Sequence, residues 1–357
     1  MEDKFVQLSI SDLLHCINNN DFKVVTPPHN PVKDEFKKYV NKEISERRKN
    51  SSIGSMRTFH NFIKRILIEN VVKLYRSHHK GEEICVLDIA CGRGGDIFKY
   101  QSAGVSHVFA FDKSAESIES INPFNEGAVS RYNSSKSTLS VNMEFAVGDA
   151  TKPTPDLFQK IGKFMEIHKL VNKKNNVFTG FQIMSCQFAM HYFFQSEIAL
   201  RNVLSMFSRF LRNGGYFIGT CINGAEITKL LEKEKAFKTS ILEIELKNYK
   251  PRKPFGNEYT FQINDLIDQG NYFNTLGVST EYLVNMDTLV KIADEYNLKP
   301  VYFNLFEQIP GSRNYTSSNG FVSFRDIHEL GIFKKAKLTQ EEILINNLYT
   351  TFVFVKR

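Results

Sequence analysis

Residues 84–96 read Ile84-Cys85-Val86-Leu87-Asp88-Ile89-Ala90-Cys91-Gly92-Arg93-Gly94-Gly95-Asp96, an apolar run that breaks into small residues and closes on an acid. A short apolar run bounded by glycines is the pattern of a strand buried on both faces, and the small residues after it let the backbone approach a ligand closely. Outward from this run the chain alternates extended and helical patterns. Strands are expected at 84–89, 107–112, 141–147, 179–186 and 215–221, with helices at 95–103, 114–121, 155–170 and 196–212. That alternation specifies an α/β fold, a doubly wound, mostly parallel sheet with helices on both faces. Asn213-Gly214-Gly215 is expected to stop the last of these helices and turn into the fifth strand. The polar stretch 122–140 reads as a flexible excursion. Upstream, Met56, Phe59, Phe62, Ile63, Ile66, Leu67, Val71, Leu74 and Tyr75 recur at three-to-four spacing and mark an amphipathic helix. Past 221 the order loosens into a helix near 225–236, extended pieces around 241–249, 258–264 and 278–284, a helix at 286–297, and strands at 299–305 and 349–355.

The 357 residues allow two ordinary domains or one large domain with insertions, and 42% hydrophobic against 24% charged residues suffices for a real core. Global disorder and a collagen-like fibre are excluded. Lys+Arg 46 against Asp+Glu 39 leaves +7, which suits a polyanionic partner without requiring one. With 31 Phe, 14 Tyr and no Trp, a flat ligand must be gripped by Phe or Tyr. The five cysteines, Cys16, Cys85, Cys91, Cys186 and Cys221, show neither metal-ligand nor redox-motif spacing and read as reduced thiols. The start, MEDKFVQLSISD, is acidic from its second residue, and no apolar run approaches the ~18 residues of a membrane span, so a soluble intracellular protein without membrane association is expected. Residues 1–45, with PPHNP at 27–31, read as a polar, flexible arm. The basic run Arg47, Arg48, Lys49 reads as a solvated face, with salt-sensitive contact to RNA phosphates or a polymerase tail as the alternative.

Ligands of open parallel sheets sit beyond the C-terminal strand ends. There the second strand presents Asp112, about 20 residues after the glycine loop, where a carboxylate can accept both hydroxyls of a ribose. The third is followed by Gly148-Asp149-Ala150, a polar group placed to meet an adenine edge. Either acid could instead cap a helix. In a dinucleotide site Ile97 would stand where G-x-G-x-x-G needs its third glycine, and Asp96 would face phosphates. S-adenosylmethionine has no phosphate and carries a sulfonium, so acids at Asp88 and Asp96 suit it better. The fourth strand ends in Ser185-Cys186-Gln187-Phe188-Ala189-Met190-His191-Tyr192-Phe193, which puts hydrogen-bonding side chains at the mouth of the site.

CQFAMHYFF, together with VLDIACGRGGDIFKY, RTFHNFIK, GGYFIGT at 214–220, PFGNEYTF at 254–261 and the terminal YTTFVFVKR, resembles the mRNA cap (guanine-N7) methyltransferases of eukaryotes and large DNA viruses. The match runs in order over about 39–357. It implies a class I, Rossmann-like methyltransferase domain over 46–357 with an elaborated C-terminal half, S-adenosyl-L-methionine as methyl donor, S-adenosyl-L-homocysteine as product, and no metal. The cofactor contacts it implies are Lys64, Asp88, Ala90, Gly92, Asp112, Asp149, Gln187 and Tyr192. The family usually has glycine at the position of Ala90, where a methyl group is tolerated if the backbone angle is ordinary. On the cap side it implies His60, Asn61, Arg93, Lys99, Arg131, His191, Glu281 and Tyr349. Asn61 carries over from the family's asparagine pair and His60 departs from it. Arg93, Lys99 and Arg131 would meet the triphosphate, and Glu281 would accept from the guanine N1–H and exocyclic amine.

Guanine N7 has a lone pair and no proton to lose, so in-line attack needs no general base and no catalytic acid or base is assigned; the rate comes from positioning. The resemblance implies as partners a capped RNA 5′ end and a capping guanylyltransferase or triphosphatase, RNA polymerase or an activating subunit. A cellular enzyme of this kind is expected in the nucleus, a viral one in the cytoplasm or virion. Two other readings fit the sheet: a non-catalytic RNA-binding or stimulatory subunit, and a methyltransferase for another RNA base or a small metabolite.

Overall fold

The computed structural model describes residues 31–172, 177–265, 278–301, 303, 304, 316, 317 and 319–357. Cys16, residues 1–30 of the expected arm, and positions 302 and 305 of the expected strand at 299–305 lie outside the described residues.

Strand β1 (Cys85–Ile89) is buried along its whole length because its alternate side chains feed two cores. Val86 packs in the layer that holds Ile66, Leu67 and Tyr100, and Leu87 in the layer that holds Phe164, Met184 and Phe207. Parallel neighbours β2 (His107–Asp112) and β4 (Phe181–Gln187) flank it, β3 (Asn142–Val147) lies outside β2, and β5 (Leu211–Ile222) lies outside β4. The C-terminal strand β12 (Tyr349–Lys356) runs antiparallel beside β5, and β10 (Leu298–Pro300) and β11 (Phe321–Ser323) pair with β12. The path β10-β12-β5-β4-β1-β2-β3 therefore reverses direction between β1 and β4. In an open α/β sheet a ligand crevice lies outside the strand ends at such a switch.

One face of the sheet is covered by α2 (Gly54–His78), whose buried stripe includes Phe59, Ile63, Leu67 and Val71, and by α3 (Ile97–Ala103). The other is covered by α6 (Pro155–Ile167), α8 (Glu197–Phe210) and α10 (Met286–Glu295). These three begin where the sequence supplies a capping oxygen: Thr154, Ser196 and Asn285 accept from the backbone N–H of Leu157, Ala199 and Thr288. A second, antiparallel sheet of β6 (Ala236–Lys238), β7 (Leu242–Asn248), β8 (Glu258–Ile263) and β9 (Ser279–Tyr282) packs Tyr259, Phe261 and Ile263 into the core shared with α2. The elaborated C-terminal half is thus joined to the parallel sheet by one apolar layer.

Four local expectations are corrected. Residues 31–45 are not an irregular arm: they lie in α1 (Pro31–Asn50), which Pro31 opens at a position where its missing N–H has no intrahelical role and whose Val40 is buried. The 122–140 excursion is ordered around α5 (Ala128–Ser135), because Tyr132 is buried and its hydroxyl donates to the Val141 carbonyl at 3.2 Å. Helix α8 stops at Phe210, before Asn213-Gly214-Gly215; Leu211 already pairs with Phe181, and the two glycines fall inside β5 where its register with β4 shifts, Gly214 taking φ +76°. The helix expected near 225–236 is the shorter α9 (Gly224–Leu230), since Ala236 enters the second sheet. The four described cysteines are unpaired, and among the described residues no helix is long and apolar enough to cross a membrane.

Candidate active site

The loop after β1 turns through three left-handed residues, Ala90 at φ +56°, Gly92 at φ +53° and Gly94 at φ +69°. The Gly92 N–H donates to Asp112 Oδ2 at 2.9 Å while the Ser114 N–H donates to Oδ1 at 2.9 Å. Each carboxylate oxygen keeps a lone pair for a hydroxyl. A Cβ at Gly92 would meet no atom within 4 Å, so the space above the loop is open beside a two-oxygen acceptor. That arrangement fits the ribose of S-adenosylmethionine. Ala90 does not have the ordinary backbone angle that its methyl group was expected to need, and it holds a conformation that glycine adopts more readily. Asp149 accepts from the N–H and hydroxyl of Thr151, at 2.8 and 2.6 Å, both on Oδ1. Neither Asp112 nor Asp149 caps a helix; Ser114 and Thr154 do so for the helices that follow.

Asp88 is buried beneath the loop, and desolvation together with the nearby Asp96 pushes its carboxyl well above the usual range. Asp96 lies 2.7 Å from Lys64 Nζ and 2.9 Å from Lys99 Nζ. Burial would raise its pKa, but the two ammonium groups outweigh burial and hold it well below the ordinary carboxylate value. The Asp96 charge is therefore neutralised inside the protein. Lys99 also donates to the Gly95 carbonyl at 2.7 Å, so it braces the loop rather than offering a cation to a triphosphate. Lys64 Nζ stands 5.6 Å from the centre of the Phe188 ring, at the inner edge of the site. Arg93 is engaged as well, by Glu116 Oε1 at 2.6 Å and the Asn125 carbonyl at 2.7 Å.

At the end of β4 the Gln187 amide is held from both sides. Its Nε2 donates to Ser185 Oγ at 3.0 Å, and Thr220 Oγ1 donates to its Oε1 at 3.1 Å. The same Thr220 hydroxyl accepts from the Phe188 N–H at 3.1 Å. Phe188 has φ +56°, and its ring is stacked on His60 (5.0 Å between centroids) and edge-on to Tyr349 (5.2 Å). Tyr349 is where β12 begins, so the last strand delivers it to this point.

His60, the residue that departs from the family pattern, is the one brought to the site. It is buried between Phe188, Phe324 and Tyr349, bonds through Nε2 to Asn346 Oδ1 at 2.7 Å, and is pushed down to about 3 by desolvation, so it is neutral. Asn61 instead faces solvent, its amide donating to the Arg57 carbonyl of its own helix. The periodicity of α2 contained this signal: His60 follows Phe59 and widens the buried stripe, whereas Asn61 lies off it.

Facing this cluster, the HY turn α7 (Met190–Phe193) meets the second sheet. Tyr259 and Glu281 are direct cross-strand partners on β8 and β9, and the Tyr259 hydroxyl donates to Glu281 Oε2 at 2.7 Å. His191 Nε2 lies 3.6 Å from Glu281 Oε1, and among the described residues neither ring nitrogen has a hydrogen-bond partner. Tyr192 shares a 3.0 Å hydrogen bond with Ser279 Oγ and carries Lys113 Nζ 5.1 Å from its ring centre, which places it between the end of β2 and the second sheet. Burial pushes Glu281 up to about 8, against the opposing bonds from Tyr259 and Ser279, and pushes His191 down to about 3. Tyr259 and Thr220, each in a quoted motif, and Ser279, two residues before Glu281, were missed as site residues, because nothing in a single strand says which strand its polar atoms will face.

A parallel sheet with its switch point at β1/β4, a glycine loop tied to an acid at the end of β2, and a polar pocket over β4 define a class I methyltransferase. The chain belongs to the mRNA (guanine-N(7))-methyltransferase domain family, whose sequence model matches residues 26–357. Among its relatives, mRNA cap guanine-N(7) methyltransferase 1 of Arabidopsis thaliana is 28% identical over 337 residues, 91% of this chain and 81% of that protein. The mRNA cap guanine-N(7) methyltransferase of Candida albicans is 31% identical over 283 residues, 73% of this chain and 55% of that protein. That of Schizosaccharomyces pombe is 27% identical, covering 77% and 68%.

Proposed function

We propose that the chain transfers the methyl group of S-adenosylmethionine to N7 of the guanosine that caps RNA through a 5′-5′ triphosphate. The observation that carries this reading is the buried Glu281–His191 pair, in which neither His191 ring nitrogen has a hydrogen-bond partner among the described residues. An isolated buried polar group is unfavourable, so such a pocket is completed by a ligand with complementary edges. Guanine has them. Its N1–H and exocyclic amine suit a carboxylate, and its O6 suits a ring N–H of a neutral histidine.

When bound, S-adenosylmethionine supplies an electrophilic methyl carbon on a sulfonium. Asp112 and the Gly92 loop would hold its ribose, Asp149 the adenine edge, and Gln187 the part nearest the pocket. His60, Phe188 and Tyr349 wall the space between cofactor and cap, exclude water and set the plane of the base. Because N7 attacks with a lone pair, no side chain has to remove a proton. Alignment of this kind is worth about 7–11 kcal/mol in favourable intramolecular reactions. Once methylated, the base carries positive charge, and the ionised Glu281 carboxylate favours that charge.

The test is methyl transfer onto GpppA- and GpppG-capped RNA against uncapped RNA of the same sequence. Label confined to capped ends is expected, and equal labelling of uncapped ends would overturn the reading.

A further inference from the structure

Four arginines from three separate segments, Arg47, Arg48, Arg93 and Arg131, lie around residues 124–131 beside the glycine loop. Arg93 leaves the loop and is held by Glu116 and the Asn125 carbonyl. Arg131 stands one turn beyond Ala128 on α5, and Ala128 abuts the loop closely enough that a Cβ on Gly94 would lie 3.3 Å from its own. The half-buried Arg131 guanidinium is lowered by desolvation against the opposing charge of Glu126, with smaller lowering from the like charges of Arg48 and Arg93. Arg48 closes the last turn of α1, and its neighbour Arg47 lies 5.6 Å over the ring of Phe124, in the same segment that holds Arg93. Both Arg47 and Arg48 are exposed.

A helix C-terminus favours basic residues for its own sake. That accounts for a basic last turn on α1, but not for the seating of Arg47 over Phe124, next to the Asn125 carbonyl that holds Arg93. Guanidinium groups fixed in orientation by an aromatic face and spread outward from a site are suited to successive phosphates, which they can bind in bidentate fashion.

We infer that Arg47 and Arg48 form a track for the phosphodiesters of the first transcribed nucleotides, continuing outward from Arg93 and Arg131 beside the cap. The inference rests on the cap-methylation reading and extends it to the RNA body. It predicts that the protein distinguishes a capped RNA from a bare cap dinucleotide by charge on α1.

The experiment compares the full chain with R47Q/R48Q and R47K/R48K, using a GpppA-capped RNA of ten nucleotides and the GpppA dinucleotide. Methylation kinetics are measured on both, and binding of the labelled RNA is followed by anisotropy from 50 to 300 mM salt. For R47Q/R48Q the expected result is a KM for capped RNA raised about tenfold, and a slope of log affinity against log salt reduced by about 1.4, at about 0.7 per single-strand phosphate contact. Dinucleotide kinetics should stay at the wild-type values, and R47K/R48K should retain most of the salt slope. Equal losses on both substrates would show that the arginines support the fold or the cap pocket and would overturn the inference, as would unchanged RNA kinetics and salt slope. Failure of the wild-type chain to methylate the capped RNA would instead overturn the parent reading, while the salt slopes would still decide the track.

Discussion

His191 Nε2 lies 3.6 Å from Glu281 Oε1 across the junction of the HY turn and the second sheet, and the two groups are buried with their ordinary charges disfavoured. Burial favours the uncharged form of both groups at neutral pH, and donors brought to the carboxylate favour its ionised form.

Replacing Glu281 by glutamine is expected to stabilise the protein and impair cap binding together. The folded-state pKa of Glu281 is raised from 4.5 to about 8, so its contribution to stability is fully present below 4.5 and is lost as pH rises towards 8. Up to about 1.4 kcal/mol is lost per pH unit in that window. Urea unfolding at pH 5 and pH 7.5 should show Glu281→Gln gaining on wild type at the higher pH. Cap affinity of the variant should fall by about 2 kcal/mol, the scale of a hydrogen bond to a charged group. In the wild type, cap affinity should rise as pH rises towards 8, and a variant that tracks the wild type in both assays would contradict this account. His191 acts in the opposite sense: lowered from 6.5 to about 3, it contributes stability above 6.5 that is lost as pH falls towards 3.

Asp112→Ala removes the acceptor of two backbone N–H groups as well as the proposed ribose contact. S-adenosylhomocysteine affinity measured by calorimetry should drop by about 2 kcal/mol, roughly thirtyfold. Binding of a cap analogue should change by less than a factor of about three, since the pocket around Glu281 is built on other strands.

The hydroxyl of Thr220 links Gln187 to Phe188. Thr220→Val keeps the branched shape and leaves the glutamine amide loose, so kcat/KM for methyl transfer is expected to fall at least fivefold for about 1 kcal/mol. Thr220→Ser, which restores the hydroxyl, should recover it. A serine variant no better than valine would point to packing instead.

Ala90 holds φ +56° at the end of β1. Ala90→Gly is expected to raise the free energy of unfolding by about 1 kcal/mol, because the left-handed conformation carries a Cβ penalty of that order. Denaturant melts of the two proteins measure it directly.

Much of this site was legible as residue type at a strand end. Asp112, Asp149 and Gln187 stand out because a polar group directly after an apolar strand of a parallel sheet has few places to go but the C-terminal edge. Lys99 shows why such reading has a limit. As a lysine after a glycine loop it is a plausible phosphate ligand, but three residues after Asp96 on a helix it has an acid within reach, and the buried acid takes it. Asn61 and His60 show the same limit in a neighbouring pair, where the helical face each occupies outweighs which of the two matches a motif.

Periodicity and glycine placement specified the parallel sheet, its strand order in sequence and the acids at its rim, because a strand buried on both faces and a helix with one apolar stripe are local patterns. Which distant groups meet was settled by packing. Tyr259 reaches Glu281 because β8 and β9 pair in one register, Tyr349 reaches His60 because the last strand is inserted beside β5, and Asp96 meets Lys64 because α2 and α3 share a core. Those contacts span tens to hundreds of residues, and their energies depend on burial, which arises only when the layers close.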